Sequence, residues 1–451
     1  MSIVRHFGAK GDGRTDDTAA LSHALQQGDG HLVFPRGDYL ISQPLHVPLE
    51  LHGRVSIEGQ GGTARLIMTG PGPAINLLGT HRRTADPEGF AEGVWQRERL
   101  PTISNLEIVG AHPEADGIRI EGAMQPTLTG LLIRRCRHGI HLANRDRNVL
   151  IANCHIYHNH GVGIFFDRVN LHQTNIHGCH ISYCKQGGIK IVGSEIRNLQ
   201  ICSNDIEYNY DLEAETSADV LLDCRAGTVR EGTIVGNTIQ ARRSPNGANV
   251  RLLGVGKEDP NAVGLFAITG NLIGSQQTAV HLRACRGVVV SGNCIYSGYH
   301  NALWAEDSEH LVIGPNSIDH NPEYKGNSTD RILLRGCRHV SLTGLLLQHT
   351  RPAEGPAEAS VEVNGCENVS LTGCQVIQAR GYGILVRQSR VVRIADCTIR
   401  AREKDETFRA SISADTASRH LIVVNNFLAR GSEGDLQMPD GTGRADGNVT
   451  V

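Results

Sequence analysis

Short apolar strands recur along the chain, and many of them open on a glycine. They read GIRI, GIHL, GIFF, GIKI and GILV and begin at Gly117, Gly139, Gly163, Gly188 and Gly383. Related runs begin at Asp219, Asn249, Ala279 and Ala302. Inward apolar and outward variable positions alternate in each run, which is the period of a β-strand with one buried face. Because the runs return at roughly 20–30 residues, they predict stacked repeats built from strands.

A second pattern lies between those strands, a β-rich run closed by Asn or Cys and followed by another short apolar strand. Examples are FAITGNLI, VVVSGNCI and VSLTGCQV. Each repeat therefore holds three strands. Asn adopts the left-handed conformation at low cost, and stacked Asn side chains can hydrogen-bond to one another, so Asn suits the corners. The sequence predicts an all-β, right-handed parallel β-helix of roughly 12 coils, forming a single domain over residues 1–451.

Composition excludes several classes of function. The 44 Lys and Arg residues are balanced by 47 Asp and Glu residues, so the net charge of −3 argues against a nucleic-acid partner. We find no apolar run of about 18 residues that would span a membrane. The N-terminus lacks a cationic start followed by an apolar stretch, which predicts no secretion signal. Localisation stays open between the cytoplasm and export with a signal removed.

The 12 cysteines fall mostly at coil corners, for example Cys154, Cys179, Cys202 and Cys294. They recur with the repeat instead of forming a CxxC-type cluster. This spacing predicts stacked, reduced, buried thiols rather than disulfides or a metal site. We therefore expect no bound metal and no cofactor.

Two N-terminal segments carry a more specific signal. Residues 7–21 read FGAKGDGRTDDTAAL, and residues 30–41 read GHLVFPRGDYLI. The pair resembles the entry to the pectate-lyase-like β-helix superfamily, which includes polygalacturonases, rhamnogalacturonases and phage tailspikes. The resemblance implies a carbohydrate substrate. The polygalacturonase pattern of NTD, DD, GHG and RIK elements is absent from the sequence, so pectin specificity is not implied.

The same N-terminal segments predict how the repeat begins. Ala20, Leu21, Ala24 and Leu25 lie at helical spacing, and Thr15 or Asp16 can cap the helix. Such a helix would plug the open end of the solenoid. We assign residues 1–45 to this cap and the first strands, residues 81–100 to an insertion loop that rims a groove or reaches a neighbour, and residues 431–451 to a loose C-terminal tail.

Strand alternation predicts one polar outer face. In each G-I-x-I strand, the position x and the residue two further on point outward. The candidates on this face are Asp167, Lys190, Asp219 and Asp223 for catalysis, and His141, Phe165, Arg251, His281, Arg283, Trp304 and Glu306 for substrate binding. Rings and charged groups together suit a sugar-binding groove. The alternative is a row of solvated charges, and for the cluster as a whole we favour the groove.

Asp167 and Asp223 are predicted to occupy one column, two coils apart, which separates their backbones by roughly 9–10 Å. Inverting glycosidases hold their acid and base about 6.5–9.5 Å apart. Asp219 is a third candidate carboxylate, and Lys190 in the intervening coil can keep one carboxylate ionised. This geometry favours a glycoside hydrolase.

Two other functions stay open. A polysaccharide lyase would use Lys190, Arg251 or a His to remove the proton beside a uronate carboxylate, which an Arg or a Ca²⁺ ion would neutralise. A non-catalytic glycan-binding or structural β-helix is the third hypothesis, and its flat faces could pack as a homotrimer. All three hypotheses share a polysaccharide or oligosaccharide as the partner.

Overall fold

The computed structural model describes residues 1–83, 89–324, 328–348, 358–403 and 406–451. They divide into two compact units. Unit 1 comprises Met1–Glu213 and Ala218–Thr233, and unit 2 comprises Ala214–Ser217 and Ile234–Val451. The assignment of the whole chain to a single domain stays a prediction.

Each turn of the chain contains a first, a second and a third strand, and strands at the same position in successive turns pair in parallel. The first strands of unit 1 are Leu45–Pro48, Gly72–Leu78, Ala115–Glu121, Ile140–Ala152, Ile164–His177, Ile189–Val192 and Ser217–Asp223. Its second strands are Ser2–Ile3, His31–Phe34, Ser56–Gly59, Thr102–Ser104, Thr127–Thr129, the later halves of Ile140–Ala152 and Ile164–His177, Glu195–Cys202 and Thr228–Val235. Its third strands are Asp12–Asp16, Gly37–Ile41, Ala64–Met68, Glu107–Gly110, Leu132–Arg134, His155–Tyr157, His180–Ser182 and Asp205–Glu207.

Unit 2 repeats the same arrangement. Its first strands are Gly247–Leu253, Thr278–Arg283, Asn301–Glu306, Arg331–Arg335, Ala359–Asn364, Tyr382–Arg387, Ala410–Ala414 and Leu436–Gln437. Its second strands are Val263–Thr269, Cys285–Ser291, Glu309–Ile313, Arg338–Thr343, Glu367–Thr372, Arg390–Ala395, Arg419–Val424 and Gly443–Asp446. Its third strands are Thr238–Gln240, Leu272–Gly274, Cys294–Tyr296, Ser317–Asp319, Leu346–Gln348, Gln375–Ala379, Thr398–Ala401, Phe427–Leu428 and Val449–Thr450.

These strands confirm the predicted parallel β-solenoid, but the predicted number of coils is too low. The described residues form about 17 turns instead of 12. Alternation places the core as predicted, because Ile118, Ile120, Ile164 and Ile189 are fully buried.

The N-terminal helix spans Thr18–Gln27 and buries Leu21, Ala24 and Leu25, as their spacing predicts. The N-cap residue is Asp17, whose side chain makes no capping hydrogen bond, so the prediction that Thr15 or Asp16 is the cap is wrong. Asp16 lies one residue earlier, and its Oδ1 accepts a hydrogen bond from the backbone N–H of Thr18 at 2.9 Å. The other helical segments are Leu49–His52, the 3₁₀ turns Val4–Phe7 and Gln60–Gly62, and a π-helical turn at Val94–Glu98. Among the residues that the structure describes, only the helix at Thr18–Gln27 exceeds one or two turns.

An Asn ladder lies at one corner of unit 2. The backbone N–H groups of Asn237, Asn271 and Asn293 donate to the side-chain oxygen of the next Asn in the stack at 2.9, 3.0 and 2.9 Å, ending at Asn316. The left-handed conformation is taken by the glycine before each of the first three Asn residues, Gly236, Gly270 and Gly292. Glycine therefore provides the sharp bend, and Asn provides the hydrogen bonds along the stack.

All 12 cysteines are free thiols, and ten are buried. Burial raises the pKa of Cys184 to about 11 and that of Cys136 to about 12, so these thiols are protonated at neutral pH. The prediction of burial is wrong for Cys294, which is exposed, and for Cys202, which is half-buried. Both side chains lie at outward positions, where alternation and not residue type decides exposure.

Of the two peripheral segments that the sequence singled out, only the C-terminal tail differs from the prediction. Within the insertion at residues 81–100, residues 84–88 lie outside the described residues. The rest is anchored to its own unit, because Glu98 is buried and accepts hydrogen bonds from the backbone N–H and hydroxyl of Thr80 at 2.7 and 2.6 Å. The tail at residues 431–451 is not loose, because Gly443–Asp446 and Val449–Thr450 pair in parallel with the preceding turn.

A buried carboxyl group in unit 2 makes stability depend on pH. Asp330 is fully buried, and its Oδ1 accepts a hydrogen bond from the backbone N–H of Gly298 at 2.6 Å. Burial raises the pKa of Asp330 from 3.8 to about 7. The folded protein therefore holds a proton that the unfolded chain releases above pH 4.

We expect the stability contributed by this protonated group to be complete below pH 3.8 and to be lost as pH rises towards 7. At about 1.4 kcal/mol per pKa unit, the loss is on the order of 4 kcal/mol. Asp330→Asn keeps the acceptor for Gly298 and removes the titration. The difference in unfolding free energy between the two proteins, measured from pH 4 to 8, should grow in favour of the variant. A difference that does not change with pH would contradict the assignment.

Candidate functional site

The outward side chains of the first strands of unit 1 lie in two columns, and we call the surface that they form the groove face, after the groove predicted there. Register places Arg119, His141, Phe165, Lys190 and Leu221 in column 1. Column 2 contains Glu121, Ala143, Asp167, Val192 and Asp223. The structure therefore brings five of the candidate residues of unit 1 onto one face.

His141 lies at the centre of the groove face. Its ring stacks on that of Phe165, with centroids 5.3 Å apart and planes at 20°. Its Nε2 is 3.4 Å from Asp167 Oδ2, and only 13% of the side chain is exposed. Neither ring nitrogen has a hydrogen-bond partner among the described residues. Burial lowers the pKa of His141, and the charges of Asp116 and Asp167 oppose this shift only in part. The imidazole is therefore a neutral base.

Sequence reasoning missed His138, the second imidazole of this group. Its ring centroid is 5.0 Å from that of Phe165, and burial lowers its pKa to about 4. Its backbone N–H donates to buried Asp116, whose carboxylate also accepts two hydrogen bonds from Arg137, at 2.9 and 2.7 Å. Asp116 and His138 each precede a glycine that begins a repeat. This shared position was the signal in the sequence by which His138 could have been found.

Asp167 and Asp223 occupy the same column, with Val192 between them. Asp167 also accepts a hydrogen bond from Arg168 at 2.8 Å. The carboxylate of Asp223 accepts hydrogen bonds from Nε and a terminal nitrogen of Arg225 at 2.8 and 2.6 Å. Burial raises the pKa of Asp223, but these hydrogen bonds and the charges of Arg225 and Lys190 lower it further than burial raises it. Asp223 is therefore ionised at neutral pH.

The prediction that Asp219 lies on this outer face is wrong. Asp219 is fully buried near the start of the strand Ser217–Asp223. It lies beside Gly188 of the preceding turn, whose backbone N–H donates to the carbonyl of Asp219. Asp219 Oδ1 accepts a hydrogen bond from the backbone N–H of Asn209 at 3.1 Å. A Cβ added to Gly188 would lie 2.9 Å from the side-chain amide nitrogen of Asn209. A side chain at this level of the corner, such as that of Asp219, therefore points towards Asn209. Asp219 is a structural residue beneath the corner.

Unit 2 has its own cluster on its first strands. Register aligns Arg251, His281 and Trp304 in one column and Arg283 with Glu306 in the next. His281 stacks on Trp304, with ring centroids 4.3 Å apart and planes at 18°. Its Nε2 is 3.2 Å from Glu306 Oε1, and Arg283 Nε is 3.8 Å from the same oxygen. All five predicted binding residues of this unit therefore lie together.

Several polar atoms in the unit 2 cluster are buried without a hydrogen-bond partner among the described residues. They are Arg251 Nε, His281 Nδ1 and Trp304 Nε1. Burial lowers the pKa of Arg251 to about 10, against the opposing charge of Glu306. Burial also lowers the pKa of His281, which leaves a neutral ring. Unsatisfied buried polar atoms of this kind are costly, and they favour a site that a polar ligand completes.

Sequence reasoning did not select the neighbouring pair Arg331 and Glu362. Arg331 lies 3.4 Å from Glu362 Oε2, and its Nε donates to Asn301 Oδ1 at 3.0 Å. Only 12% and 9% of the two side chains are exposed. Register places Glu362 in the column of Trp304, through Leu333. Arg331 instead lies level with Asn301, beside a register shift between Asn301 and Leu303, so simple alternation does not align Arg331 with the other candidates.

Within the described ranges, no group of three or more His, Cys, Asp or Glu side chains is placed to hold a metal ion. In the same residues, we find no helix with the length and apolar character needed to cross a bilayer. The expected absence of a cofactor stays a prediction.

Two families match this chain. Residues 93–239 match the family described as right handed beta helix region. Residues 2–71 match the family described as rhamnogalacturonase A/epimerase, pectate lyase-like. Together with the observed fold, these matches confirm the predicted resemblance. Residues 2–71 and 93–239 are therefore similar to the pectate-lyase-like superfamily of right-handed β-helix proteins.

Similar proteins support the fold and do not identify a particular activity. Tailspike protein 3 of bacteriophage CBA120 is 14% identical, with a TM-score of 0.57 over 94% of this chain and 61% of that chain. The pre-mature gene product 12 of bacteriophage phi29 is also 14% identical, with a TM-score of 0.56 over 98% of this chain and 58% of that chain. This chain thus spans about three fifths of each structure.

A curated relative matches over a short segment. The non-secreted LysM effector LysM19 of Penicillium expansum is 42% identical over 55 residues, which is 9% of this chain and 4% of the relative. The chain therefore spans a small part of that protein.

Proposed function

We propose that the protein cleaves glycosidic bonds in a polysaccharide or oligosaccharide bound along the groove face of unit 1. The observation that carries the proposal is the placement of Asp167 and Asp223 in one column, two strands apart. Strand spacing separates their backbones by roughly 9–10 Å. Side chains that lean towards each other can reach the about 6.5–9.5 Å at which inverting glycosidases hold their carboxylates.

The proposed reaction gives the two carboxylates different roles. Asp223 is ionised by its contacts with Arg225, so it would act as the base that activates water. Asp167 would be the acid that protonates the leaving oxygen. Lys190 lies in column 1 between them and would orient the sugar hydroxyls. His141 and Phe165 would contact the sugar ring through their shared stack.

The N-terminal match to a family described as rhamnogalacturonase A/epimerase supports a carbohydrate substrate. In unit 2, the cluster around Trp304 would bind sugar, because an aromatic ring and unsatisfied donors together suit a polyhydroxylated ligand. Arg251 would donate to hydroxyl or carboxylate oxygens, Nδ1 of the neutral His281 ring would accept a hydrogen bond from a sugar hydroxyl, and Arg283 and Glu306 would line the rim. Assembly as a homotrimer stays a prediction.

A lyase is the second candidate, because His141 is a neutral base whose ring nitrogens are both free of hydrogen bonds to described residues. It could remove the proton beside a uronate carboxylate. Arg119, which is next to it in column 1, and Lys190, which is two strands away beyond Phe165, could neutralise that carboxylate.

The two chemistries leave different products. We expect incubation with neutral and uronate-containing polysaccharides to release reducing ends from at least one substrate. Ultraviolet absorbance of an unsaturated uronate should accompany them only if the enzyme is a lyase. Reducing ends without absorbance would support the hydrolase. Glycan binding without either signal would contradict both and favour the non-catalytic hypothesis.

A further inference from the structure

Charged residues occupy one position at or near the start of successive second strands in unit 2. Register aligns them in the order Arg286, Glu309, Arg338, Glu367, Arg390 and Arg419. The sign alternates along this charge ladder until the final step, where Arg390 faces Arg419. Like charges directly opposite each other destabilise a pair of strands.

The ladder is satisfied by ion pairs up to that step. Arg286 and Arg338 both pair with Glu309, the latter at 2.8 Å. Arg390 pairs with Glu367, also at 2.8 Å. Arg419 makes no ion pair with any described residue, and it donates instead to the backbone carbonyls of Thr416 and Ser418. Its positive charge is therefore uncompensated within the described part of unit 2.

A groove of about 590 Å³ opens at this place. Its charged lining consists of Lys257, Arg338, Glu367, Arg390 and Arg419, together with the imidazole of His420. Four cations thus line the groove with one carboxylate, and two of them, Arg338 and Arg390, already pair with Glu309 and Glu367. The carboxylate of Asp415 lies at the same corner, but it accepts hydrogen bonds from the backbone N–H groups of Gln388 and Ser418 and is not part of the lining. The groove keeps an excess of positive charge.

We propose that this groove is an oxyanion site that holds a carboxylate or sulfate group of an acidic glycan. Guanidinium groups bind such planar or tetrahedral oxyanions through paired, charge-assisted hydrogen bonds. If the charges of the ladder alternated throughout, the sixth position, which Arg419 occupies, would hold an acidic residue. An oxyanion bound between Arg390 and Arg419 would supply that missing negative charge. The site deepens the proposed function and rests on the action of the protein on glycans, because it assigns the substrate to the acidic class.

The test uses the full chain and isothermal titration calorimetry with four probes. These are trigalacturonate, its fully methyl-esterified form, a sulfated disaccharide and inorganic sulfate. Arg419→Gln removes the uncompensated charge. Arg393→Gln is the matched control, since Arg393 is exposed on the same strand as Arg390 and does not line the groove.

We expect Arg419→Gln to weaken binding of trigalacturonate roughly tenfold or more, as for the loss of a charge-assisted hydrogen bond, and Arg393→Gln to leave it nearly unchanged. The neutral ester should not distinguish the two variants. If the sulfated disaccharide shows the same dependence on Arg419, the site takes saccharide oxyanions in general. The proposal would be overturned if Arg419→Gln weakened the binding of inorganic sulfate alone. It would also be overturned if both substitutions weakened the binding of trigalacturonate equally.

The binding result is separable from catalysis. If the protein cleaves a polysaccharide but Arg419→Gln does not weaken binding, the oxyanion site is refuted and the proposed function is not. If Arg419→Gln weakens binding but the protein cleaves no substrate, the oxyanion site is supported and the assignment as an enzyme is refuted. Circular dichroism of both variants controls for loss of fold.

Discussion

Replacing Asp223 with Asn abolishes cleavage of the polysaccharide substrate while the fold is retained. The side chain keeps its size, but it loses the negative charge that Arg225 and Lys190 stabilise. Removal of a general base typically costs about 10²–10⁴-fold in rate. We therefore expect kcat to fall by at least this range, measured as reducing ends released under saturating substrate.

The matched control is Asp205→Asn, the same chemical change on a third strand of unit 1. It should retain activity. Circular dichroism and thermal unfolding of both variants should match those of the unaltered protein. Unchanged activity of Asp223→Asn on a substrate that the protein cleaves would remove Asp223 from the catalytic pair.

Replacing Asn271 with Ala should cause a large loss of stability in unit 2. The buried side chain accepts hydrogen bonds from the backbone and side-chain nitrogens of Asn237, at 2.9 and 3.0 Å. It also donates to the carbonyl of Ile234 at 2.9 Å. Each buried group that loses its partner costs about 1–3 kcal/mol, so we expect a total loss of roughly 3–5 kcal/mol.

Urea unfolding followed by circular dichroism measures this loss. Asn261→Ala is the control, because Asn261 is an exposed amide in the same unit. Its unfolding free energy should change by less than about 0.5 kcal/mol. A loss at Asn271 no larger than that of the control would show that the Asn ladder does not stabilise the corner.

The fold could be predicted from the sequence because it repeats a local rule. Alternation with a period of two determines which side chains face the core, and glycine-led strands mark the turns. The number of turns was underestimated because several turns lack this mark. Third strands such as Ser317–Asp319 contain only three residues, too few for a period to be recognised. The first strand of the last described turn, Leu436–Gln437, contains two.

The candidate site was predicted in part for the same reason. Asp167 and Asp223 share a column because each holds the same position in its strand, and stacking of the turns aligns them. The positions of Asp219 and Asp223 look equivalent by alternation. The corner separates them, since Asp219 lies beneath it against Asn209 and Asp223 lies on the outer face. Alternation does not hold where the chain turns from one strand to the next.

The sequence by itself determined the parallel β-solenoid, the resemblance to its superfamily and the outward face on which most of the candidate residues lie, because these follow from local periodicity and a contiguous N-terminal motif. Only the tertiary structure decided which polar groups are buried, ionised or unpaired. His138 beside Phe165, Arg331 beside Glu362 and the uncompensated Arg419 each depend on neighbours from other turns. Those distances are set by corner and loop geometry, which strand periodicity does not encode.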